Sequence, residues 1–344
     1  MLMKFLRFLL FPFAIIYDVV TSIRNLFFDI GVFKQTAFKT PVIVVGNLSV
    51  GGTGKTPQIE YLIRLLKDNF KVAVLSRGYK RKTSGFVLLN DKHKALDVGD
   101  EPLQYFKKFA NINVAVDANR VEGVQNLMLE KSPEVILLDD AYQHRKIKGS
   151  FYILLTKYKH LFVDDFLLPT GYLRESRSGA KRADVIIVTK CPSNLDITQQ
   201  EFIRKKLKKY QKEVYFTAIS YGKIQSKKNF IAVDDLKKYQ VLLITGIANP
   251  NPLLQYLDEN QIYFNHLKYA DHHHFSSIEI KDIKNKFDEI TSTQKIILTT
   301  EKDYTRLSDA FENLYYIEIE TVFLEHQKEK FNQTMLSHIQ QNRC

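Results

Sequence analysis

The chain has 344 residues, of which 45% are hydrophobic and 26% charged, and its net charge is +12. These values exclude a disordered chain and a single small core, and they favour anionic partners: nucleic acid, nucleotide phosphates or an acidic membrane surface. The two cysteines, Cys191 and Cys344, exclude a disulfide framework and argue against a cysteine-based zinc site. A reducing, cytosolic compartment fits this cysteine usage.

The first thirty residues predict an amphipathic helix. Apolar side chains recur at spacings of four and three residues from Leu2 to Phe27, so they form one stripe. The longest uninterrupted apolar run, 8–17, is shorter than the roughly 18 residues of a spanning helix, and no small-residue cleavage site follows it. The pattern favours a helix in the membrane interface, with basic residues towards anionic headgroups. A helix docked on the protein's own core and a true span are the alternatives.

Strand-like apolar runs then alternate with helical patterns. Such alternation is typical of βαβ units, in which a parallel sheet carries helices on both faces. The predicted strands are 42–45, 72–75, 113–116, 135–138, 152–155 and 185–188. The predicted helices between them are 58–68, 102–109 and 120–129.

A polar, basic stretch at 221–229 predicts a linker or a short connecting strand, and therefore a domain boundary near residue 220. A second, smaller α/β alternation follows. Its predicted strands are 241–245, 295–299 and 314–319, and its predicted helices are 252–259 and 280–290. The predicted organisation is an N-terminal membrane-associated helix over 1–30, a first α/β domain over 31–220 and a second over 221–344.

The strongest motif is VIVVGNLSVGGTGKTP at 42–57. A buried strand runs into a glycine-rich turn that ends in Gly-Lys-Thr, and a helical pattern follows; this is the context of a phosphate-binding loop. Lys55 would reach the β- and γ-phosphates, and Thr56 would place its hydroxyl on Mg²⁺. Ser49 departs from the usual pattern, which has glycine there. The residues expected to bind nucleotide are Ser49, Val50, Gly51, Gly52, Thr53, Gly54, Lys55 and Thr56.

A companion motif, VILLDD at 135–140, predicts a buried strand that ends in Asp139 and Asp140. In phosphate-loop enzymes a carboxylate at the end of a neighbouring strand helps to hold Mg²⁺. A strand-end aspartate can also be a plain helix cap. The two motifs together indicate an ATP or GTP enzyme and leave its acceptor open.

Three further polar clusters are ambiguous from the residues alone. Asp100, in a turn before a helix, would either complement the helix dipole or act as a base towards an acceptor hydroxyl. The histidines at 272–274 follow Asp271; a proton-transfer site, a structural metal site and a solvated loop are all open, although adjacent histidines point to opposite sides. Arg174 and Glu175 would be either a phosphate-binding pair or a surface ion pair.

The set of motifs resembles the tetraacyldisaccharide 4'-kinases, the lipid A 4'-kinases of Gram-negative bacteria. The similarity runs almost from end to end, and the joint order and spacing of the motifs carry it. Besides the hydrophobic N-terminal helix, the motifs are GNLSVGGTGKTP, LSRGYKR (75–81), VGDEP (98–102), LDDAYQHR (138–145), LRE (173–175), DHH (271–273) and TTEKD (299–303).

The resemblance implies a phosphate-loop NTPase-like α/β domain joined to a second α/β domain. It implies ATP-dependent phosphorylation of the 4'-hydroxyl of an acylated glucosamine disaccharide 1-phosphate, giving lipid IVA, at the cytoplasmic face of the inner membrane. The enzyme would be peripheral or monotopic. ATP, Mg²⁺, the lipid substrate and the membrane surface are the expected partners, and nucleic acid is not.

The resemblance also implies roles for individual residues. Asp100 would be the base, assisted by His272 in preference to His273. Arg174 and Glu175 would organise the nucleotide and the metal. The implied catalytic residues are Asp100, His272 and Lys55, and the implied metal-binding residues are Thr56, Asp139, Asp140 and Glu175.

Four residues, in three motifs, depart from the family's pattern. Ala141 and Tyr142 replace the more usual Gly-Phe, Lys80 stands where glycine is common, and His274 extends the DHH motif. These differences affect fine positioning rather than the reaction class. Two other classes of function remain as alternatives: an ATPase that serves as a membrane-associated assembly factor, and, on charge alone, a nucleic-acid-binding protein.

Overall fold

The computed structural model describes residues 9–227 and 229–342. Its helices are α1 (Phe11–Asp29), α2 (Lys55–Leu66), α3 (Ala95–Val98), α4 (Asp100–Lys108), α5 (Arg120–Lys131), α6 (Ile197–Leu207), α7 (Asn251–Glu259), α8 (Ser277–Asp288), α9 (Glu301–Leu307) and α10 (Gln327–Gln341). Its strands are β1 (Thr36–Ala37), β2 (Val42–Asn47), β3 (Val72–Ser76), β4 (Val87–Leu88), β5 (Asn113–Val116), β6 (Val135–Asp139), β7 (Ile147–Lys148), β8 (Phe151–Lys157), β9 (Val185–Thr189), β10 (Glu213–Gln225), β11 (Phe230–Ile231), β12 (Gln240–Thr245), β13 (Phe264–Lys268), β14 (Lys295–Thr300) and β15 (Leu314–Phe323).

One continuous sheet runs through both halves of the chain. In the first half, parallel strands follow the order β10-β9-β8-β2-β6-β3-β5, and β4 pairs antiparallel at the edge. In the second half, the parallel order is β13-β12-β14-β15. Strand β10 belongs to both halves, because its start pairs in parallel with β9 and its end pairs antiparallel with β15. The predicted α/β fold with a mostly parallel sheet is confirmed.

Strand β2 shows why the predicted strands are apolar at every position. Val42 and Val44 face one hydrophobic core, whereas Ile43 and Val45 face another on the opposite side of the sheet. A strand that is covered on both faces has no solvent side, so its sequence does not alternate between apolar and polar residues.

The C-terminal helix α10 returns to the first half of the molecule. Its buried side chains Phe331, Met335 and Ile339 belong to the same core as Ile43 and Val45 of β2. The helix therefore completes the core that contains Ile43 and Val45, although it follows all the strands of the second half in the sequence. The division of the chain into segments at residues 30 and 220 stays a prediction.

The polar stretch at 221–229 begins within a strand. Its residues 221–225 are the end of β10, a 13-residue strand whose outer part is only partly buried and therefore looks polar in the sequence. Helices α3, α6, α9 and α10 were not predicted, and neither were strands β1, β4, β7, β11 and β13 or the first part of β10. Strand β13 has partly exposed side chains throughout, so it offers no apolar run to recognise.

The N-terminal helix α1 presents its apolar stripe outwards. Phe13, Ile16 and Val20 are 60%, 61% and 60% exposed. The opposite face, with Ala14 and Thr21 among its buried residues, lies against the protein. The part of the stripe that falls on residues 1–8 lies outside the described residues. By length and composition alone, α1 is apolar enough to cross a membrane, with a mean hydropathy of 1.3.

Candidate active site

The phosphate-loop motif folds as strand, loop and helix. Strand β2 ends at Asn47, and α2 begins at Lys55 immediately after Gly54, whose φ of 85° is a left-handed conformation that glycine adopts without strain. The Lys55 ammonium donates a hydrogen bond to Asn47 Oδ1 at 3.1 Å. The Thr189 hydroxyl, at the end of β9, donates to the Thr53 carbonyl at 2.8 Å. This bond holds the loop against the end of β9.

A second chain segment pairs with this loop. The Val50 amide donates to the Tyr172 carbonyl at 2.8 Å, and the Arg174 amide donates to the Leu48 carbonyl at 2.7 Å. Ser49 forms an antiparallel bridge with Leu173 between these two bonds. This pairing places Arg174 beside the loop, which explains how residues 120 positions apart in the sequence reach one site.

Asp139 ends β6 in a buried position next to the loop. Its Oδ2 accepts hydrogen bonds from Ser76 at 3.3 Å and Tyr105 at 3.4 Å. Thr56 lies close to the Tyr105 hydroxyl and partly offsets the rise that burial causes in the Tyr105 pKa. Burial, followed by the charge of Asp140, raises the pKa of Asp139 to about 7. Within the described residues, Asp139 Oδ1 is buried without a hydrogen-bond partner.

Asp140 is more exposed and is held by cations. Its carboxylate accepts from Arg174 Nη1 at 3.1 and 3.2 Å and lies 3.5 Å from Lys55 Nζ. Burial opposes ionisation of this group, but Lys55 and Arg174 outweigh it and hold the pKa of Asp140 below its usual value. The paired aspartates therefore differ, because Asp139 lacks the direct cation partners that Asp140 has.

Glu175 is buried and bound on both oxygens. Arg182 donates to Oε1 and Oε2, each at 2.9 Å. Gln143 donates to Oε1 at 2.9 Å, and Asn25 of α1 donates to Oε2 at 2.9 Å. Arg174 and Glu175 therefore do not pair with each other, as a surface ion pair would require. Each contacts a different set of partners.

Asp100 meets His272 across the two halves of the chain. Asp100 is the first residue of α4 and is buried, and its Oδ2 lies 2.7 Å from His272 Nδ1. Arg306 of α9 donates from Nε to Oδ1 at 2.7 Å and from Nη2 to Oδ2, a bidentate arrangement. Burial raises the pKa of Asp100, but hydrogen bonds from His272 and Arg306 and the charge of Lys302 bring it below its usual value.

Lys302 lies on the other side of the His272 ring. Its Nζ is 2.9 Å from His272 Nε2, so Nε2 accepts and the ring proton lies on Nδ1, towards Asp100. Lys302 also lies 3.4 Å from Glu101. TTEKD was recognised as a motif, but no role was predicted for Lys302, and Arg306 was not predicted as a site residue. A cation at the start of a helix after a buried strand was the available signal for Lys302.

Two glycine-containing turns hold Asp100 in place. A side chain at Gly99, where φ is 94°, would meet the Gly78 backbone at 3.2 Å, so the VGDEP and LSRGYKR segments pack backbone against backbone. Tyr79 then lies edge-on to the His272 ring, with the centroids 5.4 Å apart. Lys80 has a φ of 59°, a left-handed conformation that explains why glycine suits this position.

A buried charge cluster fastens α9 to α4 behind this pair. Lys108 Nζ lies 2.8 Å from Glu60, 2.6 Å from Glu301 and 3.6 Å from Glu318. Burial, and then the charge of Glu60, raises the pKa of Glu301 to about 8. Because Glu301 begins α9, its bond to Lys108 fixes the helix that carries Lys302 and Arg306.

The three adjacent histidines point in different directions, as the sequence predicted. His272 faces Asp100, whereas His273 lies 2.8 Å from Glu279 and stacks on Tyr269. His274 is exposed. Asp100, Glu101 and His272 bring three possible metal-ligand atoms within 4.8 Å of one another, which makes them a second candidate cation group beside the strand-end aspartates.

The predicted site residues thus form two adjoining groups. The first gathers the phosphate loop, Arg174, Asp139 and Asp140; the second joins Asp100 to His272. Tyr105 connects them, because it lies on the same helix as Asp100 and contacts both Thr56 and Asp139. Glu175 adjoins the first group through Gln143, which also donates to the Asn47 carbonyl at 2.9 Å.

Comparison with known proteins identifies this arrangement. The family model described as tetraacyldisaccharide-1-P 4'-kinase, LpxK, matches residues 6–340. The chain is 51% identical to the tetraacyldisaccharide 4'-kinase of Flavobacterium johnsoniae over 99% of both chains, and 52% identical to that of Flavobacterium psychrophilum over 98% of both.

A solved structure agrees with these sequence relatives. The crystal structure of LpxK from Aquifex aeolicus in complex with ATP superposes with a TM-score of 0.80 at 30% identity, and covers 97% of this chain and 99% of that one. The similarity therefore extends over both halves of the fold. The chain belongs to the tetraacyldisaccharide-1-phosphate 4'-kinase family.

Proposed function

We propose that this protein transfers the γ-phosphoryl group of ATP to the 4'-hydroxyl of an acylated glucosamine disaccharide 1-phosphate, giving lipid IVA. Membership of the family gives the reaction class. The structural observation that carries the proposal is helix α4, which holds Asp100 at its first residue and Tyr105 against Thr56 and Asp139. Five residues along a helix rise by roughly 7 Å, so one rigid element sets the separation of the base and the phosphate loop.

We assign phosphate binding to the loop and its neighbours. The backbone amides of 49 and 51–54 and the N-terminus of α2 would hold the phosphates, together with the charges of Lys55 and Arg174. The Val50 amide is excluded from this set, because it already donates to the Tyr172 carbonyl. These donors are fixed before ATP arrives, by the pairing of 48–50 with 172–174 and by the bond from Thr189. Donors that need no rearrangement stabilise developing charge most effectively.

We assign proton removal to Asp100. As the 4'-oxygen forms its bond to the γ-phosphorus, the bond from that phosphorus to the β–γ bridging oxygen breaks, ADP leaves, and the hydroxyl proton passes to an Asp100 oxygen. His272 donates its Nδ1 proton to Asp100 and is held in that tautomer by Lys302. Arg306 fixes the plane of the carboxylate through its two bonds.

We propose that Thr56, Asp139 and Asp140 hold Mg²⁺, directly or through water. Glu175, whose two oxygens each accept two hydrogen bonds, would act on this region through Gln143 and not as a ligand. The donor set fits, because hydroxyl and carboxylate oxygens are the ligands that Mg²⁺ prefers. The buried, unpartnered Oδ1 of Asp139 also fits, since a cation there would offset the burial that raises its pKa. When bound, Mg²⁺ would neutralise negative charge on the phosphates.

We further propose that α1 attaches the protein peripherally or monotopically to the cytoplasmic face of the inner membrane. The exposed apolar stripe of α1 and the net charge of +12 support interfacial binding to an anionic surface. In this proposal, 1–30 is the membrane-associated segment, 31–220 binds nucleotide, and 221–344 brings His272 and Arg306 to the acceptor.

The test is a transfer assay in detergent micelles. Purified full-length protein is mixed with Mg²⁺, γ-labelled ATP and tetraacyldisaccharide 1-phosphate, and the lipid is examined for label. We expect labelled lipid that depends on Mg²⁺ and is lost in Lys55→Ala. Phosphate release without labelled lipid would contradict the proposal and favour the alternative, a membrane-associated ATPase that drives assembly.

A further inference from the structure

Helix α1 has a polar inner face that contacts the nucleotide region directly. The Tyr17 hydroxyl donates to the Arg174 carbonyl at 2.8 Å, and Asn25 Nδ2 donates to Glu175 Oε2 at 2.9 Å. Arg24 Nη2 donates to the Gln143 carbonyl at 2.8 Å. Tyr17 and Asn25 are half-buried against the protein, whereas Arg24 is exposed.

The two residues that α1 contacts are adjacent and face the site in different ways. Arg174 extends its guanidinium to Asp140, while its backbone pairs with the phosphate loop through Leu48. Glu175 accepts from Asn25 and Gln143, and Gln143 in turn donates to the carbonyl of Asn47. A hydrogen-bonded path therefore leads from α1 to the residue before the phosphate loop.

The bond from Asn25 has a charged, buried acceptor. Glu175 is only 3% exposed, so each donor to its carboxylate compensates for lost hydration. A membrane anchor that served only to hold the protein at a surface would need no polar contact of this kind. Its inner face would need apolar packing alone.

We propose that Asn25 and Tyr17 are positioning residues for the nucleotide site, acting through Glu175 and Arg174. The helix that carries the exposed apolar stripe is then also a structural part of the phosphate-binding machinery. This inference rests on the proposed roles of Arg174 and Glu175 towards ATP and Mg²⁺. It goes beyond membrane attachment, because it predicts effects on nucleotide binding when neither lipid nor membrane is present.

The test measures MgATP binding to the full chain in detergent, without acceptor lipid. Tyr17→Phe removes one hydroxyl, and Asn25→Leu removes one donor while keeping a side chain of similar size. We expect each variant to weaken MgATP binding about fivefold, the scale of one lost hydrogen bond to the site, and the effect to shrink as Mg²⁺ is raised. The KM for the lipid acceptor and binding to phosphatidylcholine–phosphatidylglycerol vesicles should stay unchanged.

Two controls separate positioning from general damage. Ser22→Ala changes a neighbouring polar residue of α1 whose hydroxyl bonds within the helix to Asp18 at 3.1 Å, so MgATP binding should be unchanged. Ile16→Ser alters the exposed apolar stripe, so vesicle binding should weaken while MgATP binding is kept.

Unchanged MgATP binding in both Tyr17→Phe and Asn25→Leu would overturn the inference. So would a loss of vesicle binding in these variants with MgATP affinity intact. Tyr17→Phe decides the matter if Asn25→Leu does not fold. A wild type that binds MgATP but labels no lipid would contradict the proposed function instead, and would leave this inference testable by binding alone.

Discussion

The phosphate loop and the Asp100–His272 pair are built in opposite ways. The loop is contiguous, because β2, the glycines, Lys55 and the start of α2 all lie within 42–57. Asp100 and His272 are 172 residues apart, and they meet where α9 packs on α4 and Lys302 of α9 contacts the His272 ring. A local motif can bind phosphate almost by itself, whereas a site assembled from two halves depends on every contact that fixes the halves together.

The largest expected effect removes the cation of the local motif. Lys55→Ala should lower kcat by about 10²- to 10³-fold, because the transferred phosphoryl group loses a preorganised charge. The transfer assay in micelles measures this change. Lys67→Ala, at the end of the same helix and paired with exposed Asp68, is the matched control and should retain activity. Near-normal turnover in Lys55→Ala would refute the phosphate-loop assignment.

The next effect should fall on chemistry while sparing nucleotide binding. Asp100→Asn keeps the size of the side chain but removes the base, so kcat should fall about 10²-fold while the Kd for MgATP stays the same. Steady-state kinetics measure kcat, and calorimetric titration measures the Kd for MgATP. Asp91→Asn, at an exposed loop position, controls for the loss of one negative charge. If only MgATP affinity changed, Asp100 would act in nucleotide binding, as the phosphate loop does, and not as the base.

A smaller effect should follow from removing the clamp on Asp100. Arg306→Gln deletes a cation that lowers the Asp100 pKa, so that pKa should rise. Activity needs the ionised carboxylate, so the acidic limb of the kcat/KM profile should move to higher pH. Near neutral pH the rate should fall about tenfold, the size of one charge-assisted hydrogen bond. Lys281→Gln, on the exposed side of α8, is the control and should leave the pH profile unchanged. An unchanged acidic limb in Arg306→Gln would show that Arg306 does not set the pKa of the catalytic carboxylate.

The smallest effect should come from the ring beside His272. Tyr79→Leu loses an edge-on aromatic contact, and kcat should fall about threefold if that contact orients the imidazole. Tyr79→Phe keeps the ring and should restore the rate. Tyr263→Leu, which changes a 71% exposed tyrosine elsewhere in the second half, controls for the substitution itself. Equal rates in Tyr79→Leu and the wild type would mean that the backbone turn alone positions His272.

The same contrast determines what could be predicted from the sequence. The strands of the first half are apolar at every position because both faces are buried, so their location was clear, and β5 was predicted at its observed bounds. The phosphate loop was recognisable because its chemistry and its spacing are both local. Edge strand β13 and helix α9 were missed, because partial exposure leaves no continuous apolar run in the one and seven residues give too short a pattern in the other.

The assembled parts of the site were less accessible to sequence reasoning. Asp100 and His272 were paired by resemblance to the family, and nothing in their local sequence indicates that they touch. Arg306 carries no motif of its own and becomes visible only when α9 is seen against α4. The contact of Asn25 with Glu175 depends on how α1 docks on the protein, which its local sequence does not indicate.

Helix α10 packs on a core of the first half of the molecule, and this has a consequence for synthesis on the ribosome. Phe331, Met335 and Ile339 fill a core that also contains residues of β2, near the other end of the chain. Domains generally fold from the N-terminus as they emerge, but this core stays incomplete until α10, which follows every strand in the sequence, has been synthesised. Before that point the nascent protein exposes apolar side chains of this core where α10 will pack.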